Sequence, residues 1–148
     1  MEQRFETFTV LIGKISRNIK RIKSTQMAQL DLKGPHVSCL YYLYRCGPLT
    51  AAELCDRCEE DKGAVSRSLD FLEKNGYLTC LSDGGKKYKA PLLLTPKGQQ
   101  AGAAVSQRID GILNLASLGL TPQEREIMYA ALEKISANLE KLIESERK

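Results

Sequence analysis

Residues 61–77, DKGAVSRSLDFLEKNGY, decide the fold of this chain. The apolar side chains of the segment recur at the period of one helix face, at Val65, Leu69 and Leu72. Asp61 is a favoured N-cap residue, and Asn75-Gly76 provides a left-handed stop. The segment therefore predicts a short helix that buries one face and presents the other.

A second short helix is predicted immediately before it. Thr50-Ala51-Ala52-Glu53 has the pattern of a capping box, in which the Thr side chain accepts from the Glu53 amide and the Glu side chain reaches back. This helix runs from about residue 51 to 58, and the acids at 59–61 interrupt it. Two short helices joined by a turn of three or four residues are typical of a helix-turn-helix.

A β-hairpin is predicted after the second helix. Tyr77–Leu81 and Tyr88–Leu94 are β-prone, and they flank the turn-rich sequence Ser82-Asp83-Gly84-Gly85. Thr95-Pro96 then opens a helix that extends to about Leu118. The fold class is therefore mainly α with a small β-hairpin, a winged helix-turn-helix flanked by further helices.

The outer helices carry apolar faces that need a partner. A first helix spans roughly residues 4–28, and Gly34-Pro35 starts a second that ends at Gly47-Pro48. Thr121-Pro122-Gln123-Glu124 opens the last helix, whose apolar residues have a period near seven, typical of a helix-to-helix seam. We predict a dimerisation region formed by residues 1–33 and 96–148, and a winged DNA-binding domain formed by residues 34–95.

Composition sets wider bounds. The 148 residues are 43% hydrophobic, and a net charge of +4 is too small to identify a nucleic-acid partner by itself. The N-terminus lacks the pattern of a secretory signal, and no window approaches the roughly 18 apolar residues of a membrane span. These features predict a cytoplasmic protein without a membrane partner.

Three motifs together resemble the MarR family of bacterial transcriptional regulators. They are Pro48-Leu49-Thr50-x-x-Glu53-Leu54, residues 61–77, and Leu94-Thr95-Pro96-Lys97-Gly98. The resemblance implies a homodimer that binds palindromic double-stranded DNA, with half-sites about 10 base pairs apart. It also implies a repressor that responds to small, often aromatic, ligands bound between the dimer helices and the winged domain.

Candidate DNA contacts follow from the predicted helix. With its apolar face inward, the residues left outward near its start are Lys62, Gly63, Ser66 and Arg67. Arg67 is the first candidate for a base contact, because its guanidinium can bridge the O6 and N7 acceptors of guanine. Ser66 and the Thr50 region are expected to hold phosphates.

The hairpin tip supplies further cations. Lys86, Lys87 and Lys89 flank it, where long cationic side chains can enter a minor groove. Ordinary solvated charge explains these lysines about equally well. The stretch Gly85-Lys86-Lys87-Tyr88 departs from the family wing pattern because it contains no arginine, and Glu60 occupies a turn position where the family usually has an apolar residue.

A candidate effector pocket is less specific. Met27, Tyr41, Tyr42 and Tyr44 are positioned to line one, although such residues at helical spacing are more often part of the core.

The cysteines predict free thiols, with no metal and no cofactor. Five cysteines without a secretory signal favour a reducing compartment. Cys55-x-x-Cys58 has zinc-like spacing, but no second Cys/His pair follows, and His36 is the only histidine. Core packing is the favoured interpretation of the pair, while a thiol- or metal-responsive sensor remains an alternative. His36, near a helix start, is interpreted as a surface or capping residue.

An enzyme is not predicted. The sequence contains no nucleophile–base arrangement, no metal cluster and no phosphate-binding glycine loop. The alternative to a DNA-binding regulator is a module that uses the winged-helix scaffold for protein contacts.

Overall fold

The computed structural model describes residue 4 and residues 6–58, 60–81 and 89–148. A π-helical segment, Glu6–Val10, leads into the first α-helix, and a 3-10 turn, Ala28–Leu30, follows it. The helices are α1 (Leu11–Met27), α2 (Gly34–Cys46), α3 (Ala51–Arg57), α4 (Lys62–Lys74), α5 (Pro96–Ala116) and α6 (Pro122–Glu146), and the strands are β1 (Leu78–Cys80) and β2 (Leu92–Leu94). The predicted fold class and element order are confirmed.

The apolar face of α4 is the centre of the core. Val65, Leu69 and Leu72 expose 1%, 8% and 0% of their surface. They belong to one apolar cluster with residues of α2 that include Leu40 and Leu43. Burial of each such side chain contributes about 1.5–3 kcal/mol, so this face fixes how α4 sits on the domain.

Side-chain hydrogen bonds cap the starts of helices α3, α4, α5 and α6, and at α5 Thr95 Oγ1 accepts from the Gly98 amide at 3.1 Å. Thr50 Oγ1 accepts from the Glu53 amide at 3.1 Å and Asp61 Oδ1 accepts from the Ala64 amide at 2.6 Å. At α6 the predicted capping box is complete, with Thr121 and Glu124 bonded in both directions. At α3 only the bond accepted by Thr50 is present among the described residues, so the box predicted there is half formed.

The two strands are antiparallel and shorter than predicted. Leu78 pairs with Leu94 and Cys80 with Leu92. The hairpin tip, residues 82–88, lies outside the described residues. Leu92 also donates its amide to the Leu49 carbonyl at 2.8 Å, a bridge that ties the start of the helix-turn-helix to the sheet.

The end of α4 is fastened to the start of α5. Gly76 has a φ of +79°, which provides the left-handed stop, and the Thr95 hydroxyl donates to its carbonyl at 2.5 Å. A Cβ at Gly98 would lie 1.9 Å from the Tyr77 carbonyl oxygen, so only glycine fits there. These contacts give the Thr95-Pro96-Lys97-Gly98 motif its structural role.

The chain divides into two compact units, residues 1–112 and 113–148. In the first, the N-terminal helical segment leaves a row of large apolar side chains exposed, namely Phe8, Leu11, Ile12, Ile15 and Ile22. In the second, α6 lies wholly within the described residues and has no buried side chain. Its exposed apolar residues include Ile127, Leu132, Leu139, Leu142 and Ile143.

Candidate DNA interface

The interface is built on α4, whose two sides differ in chemistry. Its buried positions are Val65, Ser68, Leu69 and Leu72. The opposite side, towards the N-terminus, is exposed at Lys62, Gly63, Ser66 and Arg67. Because the first-turn amides of a helix point outward with partial positive charge, this end suits an anionic backbone. All four residues predicted from the sequence thus lie together on one surface.

Gly63 lies next to the Arg67 side chain. A Cβ built on Gly63 would lie 3.2 Å from Arg67 Nη1 and 3.3 Å from Asp61 Oδ1. The Arg67 guanidinium therefore lies back over the first turn of α4, close to the capping carboxylate. A Cβ at position 63 would require the exposed Arg67 side chain to shift by only a few tenths of an ångström, so the main effect of glycine is to allow a close backbone approach.

Thr50 and Lys62 lie at the starts of the two short helices. Thr50 is half-buried, and its hydroxyl oxygen already accepts from Glu53, so a phosphate contact would use the O–H as donor. Lys62 is exposed at the first position of α4. Glu60, in the turn between the helices, is also exposed.

The wing is described only at its base. Lys89 is exposed, just before β2. Lys86 and Lys87 lie outside the described residues, so their predicted minor-groove contacts stay predictions.

Lys97 holds the C-terminal end of α4. Its ammonium group donates to the Asn75 carbonyl at 2.7 Å and lies 4.4 Å from the centre of the Tyr77 ring. A cation at the carbonyl end of a helix is stabilising, because the carbonyl dipoles point towards it. The sequence analysis placed Lys97 in a family motif but assigned it no function. Its contact with Asn75 joins residues 22 positions apart, which a local pattern does not reveal.

A cavity of about 260 Å³ borders the same helix. Its walls come from α3, α4 and the two strands, and its lining includes Cys55, Lys62, Ser66, Asp70 and Cys80. Lys62 and Ser66 thus belong both to this cavity and to the candidate DNA surface.

The residues predicted to line an effector pocket are mainly core. Met27 is fully buried, while Tyr41 and Tyr42 are half-buried, with their rings edge to face at 5.3 Å. Tyr44 is exposed and packs against Gly102, where a Cβ would lie 2.7 Å from the tyrosine Cβ. Their role in effector binding stays a prediction.

His36 has a capping role rather than the geometry of a ligand cluster. Its Nδ1 accepts from the Lys33 amide at 3.3 Å at the start of α2, and its ring stacks on Phe71 of α4 at 4.0 Å. Burial, and secondarily the charge of Lys33, lower the pKa of His36. Among the described residues no group of three or more His, Cys, Asp or Glu side chains is arranged to hold a metal ion.

No helix among the described residues has both the length and the hydropathy that are needed to cross a membrane.

Comparison with known proteins agrees with this geometry. A family model described as MarR family matches residues 30–87. The chain is 25% identical over 130 residues to the HTH-type transcriptional regulator YybA of Bacillus subtilis (strain 168), covering 88% of this chain and 87% of the relative. A MarR family regulator from Silicibacter pomeroyi has a similar fold, with a TM-score of 0.81, 24% identity and 93% of each chain covered. A MarR family regulator from Listeria monocytogenes, solved in complex with a 26mer DNA, has a TM-score of 0.77 and 27% identity, with 86% of this chain and 85% of that chain covered.

Proposed function

We propose that this chain is a MarR-family winged helix-turn-helix transcriptional regulator, a DNA-binding protein and not an enzyme. It acts as a homodimeric, ligand-responsive repressor of a palindromic operator. It acts in the cytoplasm of a bacterial cell, where it meets double-stranded DNA. One α4 from each protomer enters one of two successive major grooves.

The observation that carries this proposal is the exposed start of α4. Its buried face fixes the helix, and Lys62, Ser66 and Arg67 project from the other side. Arg67 reads guanine, Ser66 and Thr50 hold phosphates, and Gly63 lets the backbone approach. The DNA complex of the Listeria relative supports the same use of the fold.

The exposed apolar faces support the dimer. Large apolar side chains are uncovered on the N-terminal segment of the first unit and, separately, on α6 of the second, and exposed apolar faces of this kind mark interaction sites. A second copy of the chain is the occupant that two-fold symmetry favours, since the same face occurs on both protomers. Residues 1–33 and 96–148 form the dimerisation region in this proposal.

The test is a fluorescence anisotropy titration with duplexes selected from genomic fragments, at several salt concentrations. We expect log affinity to fall linearly with log salt, with a slope of about −0.9 for each phosphate neutralised. A module that uses its winged helix for protein contacts would show no such duplex binding. That outcome would overturn the proposal in favour of the alternative.

Substitution of Arg67 sharpens the test. Arg67→Ala is expected to weaken binding to the best site by about 1–3 kcal/mol and to relax base preference there. Lys20→Ala, which removes an exposed cation of α1, is the matched control and should leave affinity unchanged. An equal loss on specific and random duplex would show that Arg67 contacts phosphate only.

The proposed effector is a small aromatic molecule that lowers DNA affinity. Coupling of about 1–3 kcal/mol is enough for induction. Salicylate can serve as a first probe in the same titration. Tyr42→Ala tests the tyrosine region, and Asp70→Ala tests the cavity beside α4 without changing a proposed DNA contact. Affinity that is unchanged at saturating probe concentrations of varied aromatic acids would contradict ligand response.

A further inference from the structure

Two cations of α5 bind the ends of two other helices. Near the start of α5, the Lys97 ammonium group donates to the Asn75 carbonyl at 2.7 Å, immediately beyond the last residue of α4. Further along, Arg108 Nη1 donates to the Gln26 carbonyl and to Gln29 Oε1, both at 3.0 Å, at the end of α1. The last carbonyls of an α-helix have no partner within the helix and carry partial negative charge, so a cation is stabilising at both places.

The spacing of the two cations places them on nearly the same side of α5. Lys97 and Arg108 are 11 positions apart in one continuous helix, which corresponds to about three full turns and a rise of about 16 Å. We refer to these two residues as the α5 anchors. Through them, α5 holds the end of α4 at a defined distance from the end of α1.

Between and just beyond the anchors, α5 is itself fixed to α2. A Cβ at Gly102 would lie 2.7 Å from the Tyr44 Cβ, so the two helices approach closely there. Arg45 of α2 also forms an ion pair with Asp110 of α5 at 3.3 Å. Such close packing leaves little room for α5 to slide or turn. The anchored ends of α1 and α4 are therefore joined by a rigid element.

We propose that Lys97 and Arg108 are positioning residues, which set the separation of the two copies of α4 in the dimer and hence the half-site spacing that the protein accepts. The spacing part of this inference rests on the proposed function, because α1 carries an apolar row of the proposed dimer interface and α4 is the proposed DNA-reading helix. The anchoring of the two helix ends by α5 does not depend on that function.

Half-site spacing is a sensitive measure of this geometry. One added base pair moves a half-site by about 3.4 Å along the duplex and turns it by about 35° around the axis. In a two-fold dimer, any tilt of α4 relative to α1 is repeated in the partner, so its effect on the separation is doubled. Loss of an anchor should therefore widen the range of accepted spacings, while the base preference assigned to Arg67 is retained.

Amide hydrogen exchange of the full-length protein, measured by NMR without DNA, tests the anchoring. Lys97→Met should speed exchange at least about fivefold at the amides of residues 75–77, which bond back to the last turns of α4. Arg108→Met should have the same effect at the amides of residues 31–32, which bond back to the end of α1 and the turn after it. Lys20→Met makes a matched change at an exposed position of α1 and should alter neither set. Unchanged exchange in either anchor variant would overturn the proposal.

Anisotropy titrations with a series of duplexes test the spacing. The selected half-sites are placed about 9, 10, 11 or 12 base pairs apart, centre to centre. We expect the wild-type protein to bind its best spacing at least about tenfold more tightly than the adjacent ones, and Lys97→Met and Arg108→Met each to reduce this preference at least about fivefold. Lys97→Arg, which retains the charge, and Lys20→Met should keep the wild-type preference.

The same titrations separate positioning from direct contact with DNA. If Lys97 neutralised a phosphate, Lys97→Met would weaken binding equally at every spacing and would reduce the salt slope by about 0.9. That result, a wild-type protein without a preferred spacing, or an unchanged preference in both anchor variants would overturn the positioning role. A wild-type protein that binds no duplex at any spacing would contradict the proposed function instead, and the exchange rates measured without DNA would still decide the anchoring.

Discussion

The α2–α4 region and α6 both carry amphipathic helix patterns, but the apolar residues are buried in the first and exposed in the second. In the first region, Val65 and Leu72 are buried by partners within the same chain. In α6, Leu139 and Ile143 have the same kind of periodicity, yet they remain about half exposed. The difference teaches that an amphipathic pattern specifies a buried face without specifying whose residues bury it.

The largest expected effect is a loss of stability when the buried face of α4 is truncated. Leu72→Ala should lower the free energy of unfolding by about 2–5 kcal/mol, because a fully buried side chain is removed and a cavity remains. Urea denaturation followed by circular dichroism measures this loss. Leu81→Ala removes the same atoms from a side chain that is 58% exposed, and should cost far less. Equal losses would mean that the α4 face is not the main source of stability.

A charged substitution in α6 tests whether its exposed apolar residues form the dimer interface. Leu139→Glu should weaken self-association by at least about tenfold, since it places an unpaired charge where a second copy is proposed to pack. Sedimentation equilibrium gives the dissociation constant. Asn138→Glu introduces the same charge at the next position, which is also exposed, and should leave association nearly unchanged. If both variants remain dimeric, the α6 face is not the interface.

The smallest effect concerns the contact between α2 and α4 at His36. Burial and the charge of Lys33 lower the pKa of His36 in the folded state. As pH falls, the unfolded state therefore binds a proton at His36 before the folded state does. Stability should therefore decline as pH is lowered from about 8 to about 5.5, and His36→Gln should flatten this dependence. Thermal unfolding midpoints of both proteins across this range provide the measurement. A parallel decline in the two proteins would assign the effect to other groups.

Prediction from sequence worked best where the information is local. The caps Thr50, Asp61 and Thr121 were identified because each bonds to an amide three residues away. The outward residues of α4 followed in the same way, since three buried positions on one helix determine which side remains exposed. For this reason the residues of the candidate DNA surface could be predicted from the sequence alone.

Prediction was weaker where two distant segments meet. The Cys55-x-x-Cys58 spacing did not reveal how differently the two thiols are buried, since only the packing shows that Cys58 lies in the core while Cys55 is half-buried. The Leu49–Leu92 bridge and the stacking of His36 on Phe71 were likewise not foreseen. Each is a contact between segments whose approach depends on how the whole core packs.

The sequence by itself determined the helix boundaries, the apolar face of α4 and the residues of its polar side, because these depend on neighbours within about one helical turn. Only the tertiary structure decided that Gly98 lies against the Tyr77 carbonyl, that Lys97 anchors the end of α4 and that His36 stacks on Phe71. The physical reason is that close packing selects one set of long-range contacts among many that the same local pattern allows.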